Sequence, residues 1–423
     1  MEVQERNKLR DYQKEDVQLI LNKKHVGLFN EMRTGKTCTA ISAANEVQGT
    51  VLVLCPACLV PNWESEIKIW ATQPDKFTVV SYEFIRKDYD TVMKYKRKEF
   101  KMIIIDEAHK IKNRQSKTRL AVNKLRAEYQ VALTGTPSPN EPWEVWTILN
   151  WLDRARFSSY YTFLYEYFVV TSNPWCKNIP VRFKPGAEQR LSEILNEFCT
   201  NRKLKDVANW ETDTDILDID LEPTPTQLKI IKSITENFEY EDLVTKNIVE
   251  NIQRIRQICL SPKLLDFRGT SPKLKWIKDF LKSYKGSSIV IFSNSTKFIT
   301  TELAEVVPDY IVGDTKDSER LRMVNDFQAG KLKVLAMNFA VGKEGWTLDQ
   351  ADYLVMTDVY PPASDYTQAK MRIVATKPER VKPKEIIRLR LKETYDDILY
   401  NLVDNNCETT DVINSFKQYI RRD

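Results

Sequence analysis

Gly35-Lys36-Thr37 and Asp106-Glu107 are the short runs in this chain whose side chains could together handle a nucleoside triphosphate. The first stands in "NEMRTGKTCTAI", residues 30–41, the second half of a phosphate-binding loop. Backbone N–H groups across Asn30, Glu31, Met32, Arg33 and Thr34 would cradle phosphate oxygens, with Gly35 permitting close approach. Lys36 would neutralise β- and γ-oxygens, and the Thr37 hydroxyl would ligate Mg2+. Asn30 occupies the place of the usual first glycine. The second run ends the apolar stretch "MIIIDEAH", residues 102–109. There Asp106 is placed to hold Mg2+ and Glu107 to polarise the attacking water.

These groups need elements that bring them to one place. "HVGLF" precedes the loop and "CTAISAANEV" follows it with helical composition, the strand–loop–helix setting a phosphate loop requires. "TVLVLCP", "FTVVSY", "FKMIIIDE" and "YQVALTG" are further apolar runs that read as strands buried on both faces of a parallel sheet. The pattern returns as "SSIVIFS", "DYIVGD", "LKVLAMN" and "ADYLVMTD". The fold class expected is therefore α/β, with two parallel-sheet lobes. Between them, from "EPWEVWTILNWLDRARF" to "NIVENIQRIRQICLSPKLL", apolar residues recur at the spacing of amphipathic helices. Trp143, Trp146, Leu149 and Leu152 form one stripe, read as helix core in preference to a base-stacking surface. "TSNPWCKNIPVRFKPG" reads as a loop. The expected organisation is a first lobe over 1–152, helical protrusions and linker over 153–268, a second lobe over 269–393 and a C-terminal helical segment over 394–423.

Composition bounds the remaining possibilities. With 423 residues, 42% apolar and 29% charged, the chain has the make-up of a globular protein of two or three domains. No apolar run approaches the length of a membrane span, and the charged start lacks a secretory h-region, which points to a cytoplasmic or nuclear protein. Seven scattered cysteines suit a reducing compartment without disulfide partners, and Cys55-Pro56-Ala57-Cys58 reads as a buried strand end. A net charge of +5 permits a polyanionic partner without requiring one.

"LRDYQKEDV", "EMRTGKT", "LCPACLVPNWESEIKIW", "DEAHKIKN" and "LTGTP" resemble, in order, the motifs of superfamily-two helicases, and in particular of Swi/Snf-type DNA translocases. "VGKEGWTLDQADYLVMTD" and "YTQAKMR" are similar to the fifth and sixth motifs, so the resemblance runs from about residue 8 to residue 375. It implies two RecA-like lobes with helical protrusions between them, using ATP and Mg2+ to act on DNA. It assigns Gln13 to the adenine edge, His109, Thr134 and Thr136 to coupling, and Asn62 and Trp63 to the DNA path. Lys110, Lys112, Asn113 and Lys343 become candidate phosphate contacts. Gly342, Gly345 and Thr347 match the fifth motif, with Gly345 assigned to the nucleotide, and Gln368 and Arg372 match the sixth.

Two departures accompany the resemblance. Arg33 stands where glycine is more common, and Ala375 replaces the second arginine of the sixth motif, the one expected to act as an arginine finger. Lys377 or Arg380 could supply the charge instead, or turnover is impaired in this copy; the second is favoured because lysine lacks the guanidinium fork and Arg380 lies beyond Pro378. The implied function is ATP-dependent translocation on duplex or branched DNA, with branch migration or fork remodelling as its use. A compact bacterial or viral motor acting as a monomer is expected. An ATP-gated clamp and an unwinding helicase on RNA or forked DNA are the alternatives.

Overall fold

The computed structural model describes residues 8–420 apart from 88, 136, 138–140, 173–176, 209–213, 343–345, 361–362, 376–379 and 406–408. The chain divides into two compact units, Met1–Ala208 and Asn209–Asp423. Each is built around a six-stranded sheet.

In the first unit the strand order is Phe77–Ser81, Val51–Cys55, Met102–Asp106, Tyr129–Leu133, His25–Leu28 and Cys199–Thr200. All neighbours are parallel. Side chains of a strand alternate between faces, and here both faces are apolar. Val51, Val53, Met102, Ile104, Val131 and Leu133 enter one core with the helices Asp11–Lys23, Lys36–Asn45 and Val60–Trp70. Leu52, Leu54, Ile103, Ile105 and Ala132 enter another, which includes Ile148, Trp151 and Leu152 of helix Trp146–Leu152. Continuous apolar strands follow from this double covering.

Trp146 and Leu149 pack with Phe163, Leu164 and Phe168 in a third cluster, so the aromatic stripe is core. The segment expected as a loop over residues 171–186 is partly strand. Ile179–Phe183 pairs antiparallel with Phe168–Thr171, and Phe168 stacks on Phe183 with ring centroids 4.6 Å apart. The prolines and asparagines of that segment conceal a hairpin stabilised by this aromatic pair.

In the second unit the order is Tyr310–Ile311, Val334–Asn338, Ile289–Ser293, Tyr353–Met356, Glu385–Leu391 and Asp215–Leu221, again all parallel. The last two strands were not anticipated. They are paired in register so that Arg388 faces Asp218 and Arg390 faces Asp220, with Arg388 Nη2 donating to Asp218 Oδ2 at 2.8 Å and Arg390 Nη2 to Asp220 Oδ1 at 2.8 Å. Helices Pro225–Asn237, Ile248–Leu260 and Tyr395–Asp404 join the core on one face, where Ile230, Ile255, Tyr395 and Leu399 meet Val290, Phe292 and Leu354. Among the described residues no helix is long and apolar enough to cross a membrane.

Candidate active site

The chemistry-bearing residues of the first unit gather at the carboxyl ends of its central strands, the usual ligand edge of an open parallel sheet. Strand His25–Leu28 leads into residues 30–35, and Gly35, at φ 79°, is the N-cap of helix Lys36–Asn45. A left-handed cap suits glycine, and a Cβ there would collide with Gln13 Nε2. Arg33 also lies in the left-handed region, at φ 70°. That conformation accounts physically for glycine being the commoner residue at this position.

Lys36 Nζ donates to the carbonyls of Asn30 at 2.7 Å and Glu31 at 3.1 Å, which holds the ammonium over the loop. Its charge also reaches Asp106, whose proton affinity it lowers. The phosphate-loop lysine and the acidic strand end therefore belong to one constellation. Thr37 is half-buried in the first helical turn.

Helix Asp11–Lys23 supports the loop from one side. Tyr12 Oη and Gln13 Nε2 both donate to the Thr34 carbonyl, at 2.7 and 3.0 Å, and Gln13 Oε1 accepts from the Arg10 backbone N–H at 2.9 Å. Segment 198–204 supports it from the other. Phe29 and Glu31 donate their backbone N–H groups to the carbonyls of Thr200 and Arg202, both at 2.8 Å. Asn30 Nδ2 donates to Asp16 Oδ2 at 2.8 Å, and the Arg202 backbone N–H donates to Asn30 Oδ1 at 2.9 Å. Arg202 Nε then donates to Asp16 Oδ1 at 3.0 Å. Burial raises the Asp16 carboxyl, with Arg202 and Asn30 opposing that shift. Asn30 is thus a buried joint between three segments. Neither Asp16 nor Arg202 was singled out from the sequence; they lie 186 positions apart and no local pattern joins them.

Asp106 is the most constrained carboxylate of the site. Oδ2 accepts the Trp63 indole N–H at 2.8 Å, and Oδ1 accepts the Glu107 backbone N–H at 2.8 Å. Tyr82 Oη donates to the Asp106 carbonyl at 2.7 Å. Burial pushes its pKa up to about 6, Glu107 adds to the rise, and the Trp63 hydrogen bond opposes it. Glu107 is held at φ 47°, a strained left-handed turn directly after the strand. Its Oε2 lies 3.2 Å from His109 Nδ1, and the same nitrogen lies 3.3 Å from Thr134 Oγ1. The acidic motif and the following strand end are joined through His109. Thr136 lies outside the described residues.

Trp63 requires a correction. It was expected on the DNA path, yet it is 0% exposed and its one polar atom is committed to Asp106. The amphipathic helix Val60–Trp70 turns this residue inward, while the adjacent Asn62 is exposed. Lys110 and Asn113 are exposed, and Lys112 is half-buried with Nζ 3.4 Å from Glu144 Oε1. Lys112 and Asn113 border an open cavity of about 380 Å³ with Arg114, Trp143 and Tyr160.

In the second unit Gln368 is half-buried on helix Ala363–Lys370. Arg372 is 6% exposed, and its carbonyl accepts the Leu348 N–H at 2.9 Å, which ties the sixth motif to Thr347 and the fifth. Gly342 ends the short helix Phe339–Gly342, while Lys343, Gly345 and Lys377 lie outside the described residues. Ala375 is 3% exposed beside the buried Ile373 and Val374, and Arg380 donates to Gln350 Oε1.

The residues present fit a magnesium nucleotide: a lysine on a left-handed glycine cap, a threonine beside it in the first helical turn and a half-buried carboxylate oriented by two hydrogen bonds. Cys55, by contrast, is fully buried in its strand with its thiol raised by burial, so the Cys55–Cys58 pair adds no chemistry here.

Comparison with known proteins gives consistent findings. Residues 72–264 match the SNF2-related domain family, and residues 272–376 match the helicase conserved C-terminal domain. Chromodomain-helicase-DNA-binding protein 7 of Homo sapiens is 26% identical over 333 residues, covering 68% of this chain and 11% of that protein. Chromodomain-helicase-DNA-binding protein 8 of Xenopus tropicalis is 27% identical over 384 residues, covering 74% of this chain and 17% of that protein. The chain thus spans between about a tenth and a fifth of the length of these relatives. The Sulfolobus solfataricus SWI2/SNF2 ATPase core, solved in complex with dsDNA, is 24% identical with a TM-score of 0.43, covering 94% of this chain and 91% of that one. The phosphate loop at residues 30–37 precedes both family matches and rests on its own geometry. With two parallel-sheet units and the two family matches in succession over residues 72–376, the resemblance of the chain to the SNF2-type branch of the superfamily-two helicases is supported.

Proposed function

We propose that this chain is an ATP-hydrolysing motor that moves along duplex or branched DNA, with branch migration or fork remodelling as its use. The observation that carries this reading is the gathering, at the carboxyl ends of the first sheet, of the loop that holds Lys36 Nζ over its own carbonyls and of the doubly hydrogen-bonded Asp106. In this reading residues 32–37 bind the triphosphate through backbone N–H groups and Lys36, since the Glu31 N–H is committed to the Arg202 carbonyl. Thr37 and Asp106 would hold Mg2+, which supplies charge neutralisation when bound. Glu107 orients and deprotonates the attacking water, and its strained backbone fixes the direction in which the carboxylate is presented. His109 relays a change at Glu107 to Thr134. Gln13 is assigned to adenine, and Gln368 and Arg372 to the γ-phosphate. DNA contacts are assigned to Asn62, Lys110, Lys112, Asn113 and Lys343. Phosphate contacts of this kind give weak sequence preference and strong salt dependence.

ATP turnover measured without nucleic acid and with duplex DNA, a four-way junction, single-stranded DNA and RNA tests the proposal. Stimulation by duplex or junction, abolished in Glu107→Gln while nucleotide binding persists, is expected. Stimulation by RNA alone would favour an unwinding helicase and overturn it.

A second reading, an ATP-gated clamp with slow hydrolysis, is favoured by Ala375 alone. Steady-state turnover of Ala375→Arg separates the readings: a gain identifies the missing guanidinium as the limit, and an unchanged rate removes that explanation.

A further inference from the structure

At the opposite end of the first sheet, three arginines stand together, none of them ion-paired to an acid among the described residues. Arg119, on helix Lys117–Val122, is buried and donates through Nη2 to Asn150 Oδ1, while its Nε and Nη1 are buried without a hydrogen-bond partner. Arg126 donates to two neutral oxygens, the Trp151 carbonyl at 3.0 Å and Asn123 Oδ1 at 2.8 Å. Arg154 follows helix Trp146–Leu152 and is exposed. Burial lowers the pKa of Arg119 to about 10, with Arg126 and Arg154 adding to the drop, and burial and Arg154 lower Arg126 to about 10. These groups repel one another, and among the described residues no carboxylate forms an ion pair with any of them.

An open cavity of about 590 Å³ lies against this cluster, lined by Asn123, Lys124, Arg126 and Arg154, with Glu99 as the acid of its lining. Glu99 precedes strand Met102–Asp106, and Asn123, Lys124 and Arg126 precede strand Tyr129–Leu133. The cavity therefore sits at the amino ends of strands whose carboxyl ends carry Asp106 and Thr134. It is separate from the nucleotide site.

We propose that this cavity is a second anion site, one that takes a phosphate group. Arg126 and Arg154, which have no ion pair to a carboxylate among the described residues, put positive charge against this cavity, and the several oxygens of a phosphate group can meet more than one guanidinium at once. Guanidinium forks match tetrahedral phosphate oxygens with paired N–H donors. The side-chain amide of Asn123 can add a neutral donor. The phosphate can come from a small soluble anion or from a nucleic-acid backbone, and the chemistry of recognition is shared. This proposal does not depend on the motor reading, because none of its residues belongs to the nucleotide site.

The test uses the full chain carrying Lys36→Ala, which disables the phosphate loop. Binding of inorganic phosphate, of pyrophosphate and of a short DNA duplex is measured by calorimetry, with and without Arg154→Gln. Arg156→Gln, an exposed arginine paired with Glu197, serves as the control for loss of one positive charge. At least a tenfold weaker affinity with Arg154→Gln and an unchanged affinity with Arg156→Gln is expected for one of the probes. An effect on phosphate or pyrophosphate identifies a soluble anion, and an effect confined to the duplex identifies a backbone phosphate. If no probe responds to Arg154→Gln, or all respond equally to Arg156→Gln, the site does not exist. Because Arg154 is exposed and makes no hydrogen bond among the described residues, the variant is expected to unfold at the parent temperature, which a thermal scan verifies.

Discussion

The Trp63 indole N–H and the Glu107 backbone N–H grip opposite oxygens of Asp106, each at 2.8 Å. A carboxylate held on both oxygens cannot rotate, so the lone pair left on each oxygen has a fixed direction for a metal. Trp63 is packed between helix Val60–Trp70 and the sheet, where it touches no solvent. It is a positioning residue for Asp106.

Trp63→Phe keeps most of the packing and removes the indole N–H. Outer-sphere partners of metal ligands typically contribute 10–100-fold in affinity. The variant is expected to need about tenfold more Mg2+ or Mn2+, read by Mn2+ titration of the nucleotide complex, with nucleotide binding at saturating metal little changed. Equal loss at low and saturating metal would show that Trp63 acts only through packing.

Asp106 also sets a pH dependence of stability. Its folded-state pKa is raised from 3.8 to about 6, so the native chain binds this proton more tightly than the unfolded chain does. Ionised Asp106 therefore destabilises the nucleotide-free protein, fully above pH 6 and not at all below pH 4. The NH2 of Asp106→Asn opposes one of the two N–H donors at every pH, so the expected result is a shift in the stability difference, by roughly 1–3 kcal/mol in favour of asparagine, between pH 4 and pH 7.5. Urea unfolding at the two pH values measures it, and a difference of the same size at both would contradict the assigned cause.

How much of this was legible in the sequence depends on what made each element. The central strands declared themselves because burial on both faces demands unbroken apolar runs, as in Val51–Cys55 and Ile289–Ser293. Strands Asp215–Leu221 and Glu385–Leu391 did not, because charges that look solvated in isolation pair across the strands, Arg388 with Asp218 and Arg390 with Asp220. The loop and the acidic motif were found from local spacing, and the structure brings Lys36 and Asp106 into one electrostatic neighbourhood. Trp63 was misplaced because helical periodicity shows which residues share a face but not what that face meets. The Asp16–Asn30–Arg202 joint was invisible for the same reason: its partners meet only through tertiary contact.

Lys273 and Asp396 form the most enclosed ion pair of the second unit. Lys273 is 0% exposed, and its Nζ donates to Asp396 Oδ2 at 2.6 Å and to the Thr357 carbonyl at 2.7 Å. Asp396 Oδ2 also accepts the Leu391 N–H at 3.0 Å, which pins the end of the strand to the helix that follows. Removing one partner strands a buried charge. Lys273→Met is expected to destabilise the protein by about 3–5 kcal/mol, and Lys273→Met combined with Asp396→Leu by less than either single change. Denaturant unfolding of the three variants decides this; a double variant as unstable as the sum of the singles would show that the pair is not coupled.

Arg33 offers a test of the loop itself. At φ 70° a side chain beyond Cβ costs on the order of 1 kcal/mol relative to glycine, and a β-branched side chain costs more. Glycine gives back part of this advantage through the freedom it adds to the unfolded chain. Arg33→Gly is therefore expected to be as stable as the parent or more so by up to about 1 kcal/mol. Arg33→Val is expected to fall below the parent by about 1–2 kcal/mol. The same ordering should hold for nucleotide affinity, since the strain bears on the backbone that presents the N–H groups. Thermal unfolding with and without nucleotide measures both effects. A valine variant as stable and as tight-binding as the glycine variant would mean that residue 33 does not adopt the left-handed conformation in solution.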